Sequence, residues 1–397
     1  MKVFGVIAEF NPFHNGHEAL LMAAREAGYS HCVAVMSGNF VQRCEAAVTE
    51  KRVRTNAALH CGVDLVLELP VSHATATAAR FAAGGVRLLE ACGCVEALAF
   101  GSECGDAGKL RELACALDSR EVAISLRRYL NEGMTFAKAR QSAIADSYGK
   151  NMGNLLYSPN NILAVEYIRA SAEIDWAAKF FTIKRKGTAH DSGQPSADFA
   201  SASYLRGHID ELEDYVPHSA AEIYCDAIVG GLYPVDKAKL ENMMFSYLRR
   251  LGPDKLSSLP DLSEGIEDRL YRAIRQGTNF AEIHGALKTK RYTMSRVRRL
   301  VLSAFLDIAA GDVAAPPAYL RVLGMNGRGR EILAEVRKNA RLPLSTSLAR
   351  LREFSPECAR AALLEERATD LYTAALPVPI PCGYEYTASA VIMKYNR

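Results

Sequence analysis

The chain has 397 residues, 49% of them hydrophobic and 23% charged, enough for two domains of an ordinary globular protein, and its formal net charge of +3 points to no class of partner. Ten cysteines without a Cys-x-x-Cys pair exclude a zinc ribbon or a disulfide framework. No apolar run reaches the ~18 residues of a membrane span, and "MKVFGVIAEF" is not a secretory leader, so the expected location is the cytoplasm, with no membrane partner.

"KVFGVIA" predicts a buried strand. It breaks at Asn11-Pro12, and His14-Asn15-Gly16-His17 opens a helical pattern reaching about Ala27. Strands are expected at 31–36, 64–69 and 95–100, with helices over 50–61 and 74–91 between them. That alternation predicts right-handed crossovers and a parallel sheet covered on both faces, an α/β Rossmann-like fold. Residues 105–150 read as charged helices, another helix starts near 158–161, and 179–185 is a further strand. Past residue 212 helical periodicity dominates. The expected division is an α/β nucleotide-binding catalytic domain over 1–212 and a mainly helical domain over 213–397.

Ligands of open α/β sheets bind outside the carboxyl ends of the strands, the edge that carries residues 11–17, 37–43 and 101–103. On a helix, His14 and His17 share a face. The helix N-terminus attracts phosphate, and imidazole donors there can stabilise charge developing on a phosphoryl group. Gly16 leaves room for close approach. The spacing does not suit a metal site, which favours i, i+4 histidines with a nearby Glu. The competing reading is a pair of capping or surface histidines. A second segment, "SASYLR", offers Ser201, Ser203 and Arg206 at a helix start, where hydroxyls and a guanidinium can meet phosphate.

The His-x-Gly-His motif with a late Ser-x-Ser/Thr-x-x-Arg motif resembles the nucleotidyltransferase superfamily. The set "GVIAEFNPFHNGH", "MSGNFVQR", "GVDLVLELPV", "FGSE", "SPNNILAVEYI", "KRKGTAHD" and "KTKRYTMSRVRR" resembles the tRNA(Met) cytidine acetate ligases over residues 1 to about 300. The resemblance implies a nucleotidyltransferase-like fold and an ATP-dependent ligase. Acetate becomes acetyl-adenylate, and the acetyl group passes to the exocyclic amine of the wobble cytidine of elongator tRNA(Met). It implies catalytic roles for His14 and His17. It implies ATP contacts at Ile7, Ala8, Glu9, Phe10, Asn11, Pro12, Phe13, His14, Asn15, Gly16, His17, Glu18, Ala19 and Leu20, and at Gly101, Asn161 and Arg185. Read without it, Asn161 could be a helix cap and Arg185 part of a solvated basic face. Mg²⁺ is expected with ATP, and no carboxylate cluster marks a protein metal site.

The family's "FVQRGEPA" stands here as "FVQRCEAA"; if the family's glycine has positive φ, Cys44 carries a strain of ~1–2 kcal/mol, and Arg43 lies in the same loop. The usual Ser-Thr pair is Ala202-Ser203. Within "ALKTKRYTMSRVRRLVL", Lys288, Lys290, Arg291, Arg296, Arg298 and Arg299 have no acid between them. The run suits an RNA backbone, with Tyr292 placed to stack on a base, or is a solvated helix face. Two other functions fit parts of the pattern: an adenylyltransferase for a small phosphorylated metabolite, and a tRNA-binding protein with a vestigial nucleotide site.

Overall fold

A computed structural model describes residues 1–185, 195, 198–262, 265–289 and 292–393. The expected strands form at β1 (Val3–Ala8), β2 (His31–Ser37), β5 (Leu65–Leu69), β6 (Ala97–Ser102) and β7 (Lys179–Lys184). They pair in parallel in the order β5-β2-β1-β6-β7. The two-residue strands β3 (Phe40–Val41) and β4 (Glu45–Ala46) make a small antiparallel hairpin after β2.

The strands read as unbroken apolar runs because both faces of the sheet are covered. Val3, Val33, Val35, Leu65, Leu67 and Leu98 face one way, onto helices Ala78–Ala91, Pro159–Glu173 and Gly327–Asn339. The alternate residues Phe4, Val6, Ala34, Met36, Val66 and Ala99 face α1 (Asn15–Glu26), α2 (Lys51–His60) and helix His218–Val229. Each fully buried Val, Leu or Phe in these layers stabilises the fold by about 1.5–3 kcal/mol.

The division at 212/213 does not separate sheet from helices. β8 (Leu320–Met325) returns to the sheet and pairs antiparallel with β5, and β9 (Leu344–Ser345) and β10 (Val391–Ile392) pair with β8. Two features admit it. Gly324 has no side chain where a Cβ would lie 2.6 Å from Thr55 Cγ2 and 2.7 Å from the Val391 carbonyl. Arg321, 2% exposed, reaches Glu68 of β5 at 2.7 Å and also pairs with Glu385. Lys51 joins them, with Nζ 2.5 Å from Glu68. Residues 248–304 hold their own helical core around Leu270, Ile283 and Leu300. Beside it, helix Met294–Leu306 packs Leu302 and Phe305 against Phe40 and Ala46 of the hairpin and Tyr372 of helix Pro356–Ala374.

Candidate active site

The turn between β1 and α1 presents both histidines. His14 is the N-cap, with extended backbone (φ −144°, ψ 170°). Its Nδ1 accepts from the Gly16 N–H at 3.1 Å, and its own N–H donates to His17 Nδ1 at 3.2 Å. This is a reciprocal capping box in which imidazoles replace the usual hydroxyl and carboxylate. The rings stack with centroids 3.8 Å apart. Gly16 is required here, since a Cβ would stand 2.9 Å from His14 Cε1.

An accepting Nδ1 carries no proton, so each neutral ring is protonated at Nε2. Burial, reinforced by Arg185, pushes His14 down to about 3. Burial, then His14 and Arg185, hold His17 well below the usual histidine range. The rings therefore cap the helix and keep two neutral Nε2–H donors for the cavity they line. The capping reading is borne out through the two Nδ1 atoms, and capping leaves the Nε2 atoms unused.

The cavity measures about 660 Å³ at the carboxyl edge of the sheet. Of the residues singled out from sequence, Ile7, Ala8, Glu9, Phe10, Asn11, His14, Gly16, His17, Ala19, Leu20, Gly101, Arg185, Ser201, Ser203 and Arg206 line it. The others take supporting places. Pro12 and Phe13 are buried behind the turn, where the Phe13 N–H donates to Tyr224 Oη at 2.8 Å. Asn15 donates to the Asp198 carbonyl at 2.9 Å, and Glu18 in the first turn of α1 is outside the wall.

Asn161 lies behind the cavity lining rather than in it. It is 2% exposed; its Oδ1 accepts from the N–H groups of Glu103 (3.0 Å) and Cys104 (3.1 Å), and its Nδ2 donates to the Leu155 carbonyl at 3.1 Å. The side chain is committed to fastening the loop after β6. Asn160 lines the cavity instead. In return, the Glu103 carboxylate accepts from Asn160 Nδ2 at 2.7 Å and from the Asn161 N–H at 2.9 Å, filling the N-terminus of helix Pro159–Glu173. Sequence could not choose between adjacent asparagines, because at a helix start each residue turns ~100° from the last.

Three parts of the site are not among the ATP contacts expected from sequence. An apolar wall of Phe81, Phe100, Leu163 and Tyr167 comes from distant elements. Gln42, Arg43 and Lys184 add polar lining. Arg54 of α2 lies fully buried beneath, donating to the carbonyls of Thr49 (3.1 Å), Glu9 (2.7 Å), Ser37 (3.1 Å) and Gly38. It ties the ends of β1 and β2 together. Glu9 Oε1 accepts from the Gln42 N–H at 3.0 Å, holding the hairpin, and burial pushes this carboxyl up. Arg206 Nη1 donates to the Asn11 carbonyl at 3.0 Å, and Ser201 caps the short helix Ala202–Leu205. The hairpin's Cys44 has φ +59°, the left-handed geometry that favours glycine. Among the described residues, no group of three or more His, Cys, Asp and Glu could hold a metal ion.

The basic run differs from its sequence picture. Lys290 and Arg291 lie outside the described residues, and Lys288 is exposed. Tyr292 is 6% exposed within the helical core, with the Arg296 guanidinium 4.9 Å from its ring centroid. Its ring is therefore not open for a base to stack on. Arg296 donates to the Asp261 carbonyl at 2.6 Å, Arg299 to Asp261 Oδ2 at 2.8 Å, and Arg298 to Glu45 at 3.0 Å. The acids missing from the run arrive from elsewhere in the chain.

The family model described as HIGH Nucleotidyl Transferase matches residues 1–381. The tRNA(Met) cytidine acetate ligase of Thermoanaerobacter sp. (strain X514) is 39% identical over 388 residues, 94% of this chain and 96% of that protein. That of Alkaliphilus metalliredigens is 35% identical, covering 95% of each. The crystal structure of Thermotoga maritima TmcAL bound with alpha-thio ATP superposes with a TM-score of 0.91 at 33% identity, over 99% of this chain and 100% of that one. The apo form gives 0.92 at 34% identity, over the same shares.

Proposed function

We infer the activity from one premise: the chain belongs to the HIGH nucleotidyl transferase family and, within it, to the tRNA(Met) cytidine acetate ligases. It is an ATP-dependent ligase. Acetate attacks the α-phosphorus of ATP, the bond to the bridging oxygen breaks, and pyrophosphate leaves with the bonding electrons. The exocyclic amine of the wobble cytidine of elongator tRNA(Met) then attacks the acetyl carbonyl carbon. AMP leaves, the nitrogen loses a proton, and N4-acetylcytidine remains.

The observation that carries this reading is the reciprocal histidine cap. Two Nε2–H donors, fixed by the backbone of one helix turn, stand at the positive end of α1. They suit an α-phosphate that gains negative charge at the transition state, and being neutral they need no change of protonation. Arg185, Lys184 and Arg206 on the same wall suit the departing pyrophosphate. The apolar side, with Phe100, Leu163 and Tyr167, suits the adenine ring. Mg²⁺ is taken as part of the nucleotide substrate, held by its phosphates and water. A wobble base is single-stranded, so turning it into a pocket costs less than extraction from a duplex.

The test is incubation of the purified protein with ATP, labelled acetate and total bacterial tRNA, following acetyl-AMP, pyrophosphate and acetylated cytidine. Acetyl-AMP without RNA, and acetylated cytidine with it, are expected. Pyrophosphate release that depends instead on a phosphorylated metabolite overturns the reading, as does the absence of any turnover.

A further inference from the structure

One short hairpin touches both the cavity and the basic helix. Gln42 and Arg43 at its tip stand in the cavity wall, and Arg43 is exposed. Two residues on from Arg43, Glu45 Oε1 accepts from Arg298 Nη1 at 3.0 Å. The same carboxylate acts electrostatically on Arg206 at the cavity. Glu45 thus pairs with Arg298 and lies within electrostatic reach of Arg206, with Arg43 two residues before it in the chain. The hairpin is fixed from behind by Phe40 and Ala46 in the apolar junction with helix Met294–Leu306, and by Glu9 on the Gln42 N–H.

The Arg298–Glu45 pair is open to solvent, its side chains 42% and 37% exposed. Such pairs are weak, and a phosphate can grip a guanidinium through two oxygens where this carboxylate uses one. Arg296 and Arg299 are engaged by Asp261, so Arg298 is the arginine of this helix whose partner lies on the cavity side.

We propose that the RNA strand carrying the target cytidine enters over this hairpin, Arg298 and Arg43 each taking a backbone phosphate while Glu45 gives up Arg298. The proposal rests on the acetate ligase reading and adds the route by which the macromolecular substrate reaches the acetyl-adenylate. The carboxylate keeps the hairpin seated until RNA arrives, and the strand then lies along the wall that ends at the histidines.

Arg43→Ala, Arg298→Ala and Glu45→Gln test it. Each is assayed for acetyl-adenylate formation without RNA, for binding of a labelled anticodon stem-loop of elongator tRNA(Met) across a salt series, and for acetyl transfer. Each arginine variant is expected to lower the slope of log affinity against log salt by about 0.7, the loss of one single-strand phosphate contact. Each also lowers transfer roughly tenfold more than adenylate formation. Glu45→Gln tightens stem-loop binding severalfold. If Arg43→Ala keeps the wild-type salt slope and loses adenylate formation as much as transfer, Arg43 serves the nucleotide and the route is overturned. Unchanged stem-loop affinity in Glu45→Gln overturns the exchange. Failure of the ligase reading is distinguishable: the unmodified protein then makes neither acetyl-adenylate nor acetylated RNA, and the route falls with it.

Discussion

The first turn of α1 and the N-terminal half of helix Met294–Leu306 are both places where phosphate is expected, yet they are assembled differently. At α1 the donors, the acceptors that orient them and the glycine that makes room lie within four consecutive residues. On the other helix the partners of Arg298 and Arg299 are Glu45 and Asp261, far away in sequence. A device closed within one turn is specified by spacing. A charge run is specified only once the fold decides which charges are answered.

The strongest way to sharpen that contrast is His17→Ala. Losing one preorganised donor should cut acetyl-adenylate formation about 10²–10³-fold, read as pyrophosphate release, while stem-loop binding stays within about twofold. An equal loss of both would erase the distinction between the two regions. Next is Arg54→Met, which leaves four carbonyls without their donor. Unfolding stability should drop on the order of 3 kcal/mol, seen as a lower urea midpoint at constant m-value. A drop under about 1 kcal/mol would mean that water or other donors replace the guanidinium.

Smaller effects are expected on the basic helix. Arg299→Ala should lower stability by about 1 kcal/mol or less and change stem-loop affinity less than about twofold, because Asp261 already holds this charge. A tenfold loss of affinity would show the charge to be available after all. The smallest effect is with pH. Since both rings are held neutral, adenylate formation at saturating substrates should not fall tenfold per unit between about pH 6.5 and pH 8, as an imidazolium requirement would demand. Stability has the opposite sensitivity. An unfolded histidine takes a proton below about pH 6.5, whereas folded His14 resists until about 3, so acid destabilises the fold progressively across that window.

The parallel strands and the histidine turn were legible because each is a local pattern: Val- and Ile-rich runs at regular intervals, and a motif within one helix turn. β8 was not. "LRVLGM" is a lone apolar run among helical segments, and its partner β5 lies in the first quarter of the chain. The choice of Asn160 over Asn161 needs the rotation of the helix start about the Glu103 carboxylate. Tyr292 looked like a stacking platform because a sequence does not show that it is buried in the same core as Leu270, Ile283 and Leu300. The hairpin was singled out through its motif and its place at the sheet edge, and it is where the two regions touch. The glycine expected at its tip has the geometry anticipated, occupied here by Cys44 at φ +59°.

The antiparallel return at β8 has a consequence for how the protein is made. As the chain leaves the ribosome, the outer edge of β5 stays unpaired, and Glu68 lacks Arg321, until residues 320–325 emerge. The nascent nucleotide site is thus left with a sticky flank that only late synthesis can seal. Truncation before residue 320 should therefore disable ATP chemistry carried by residues hundreds of positions upstream.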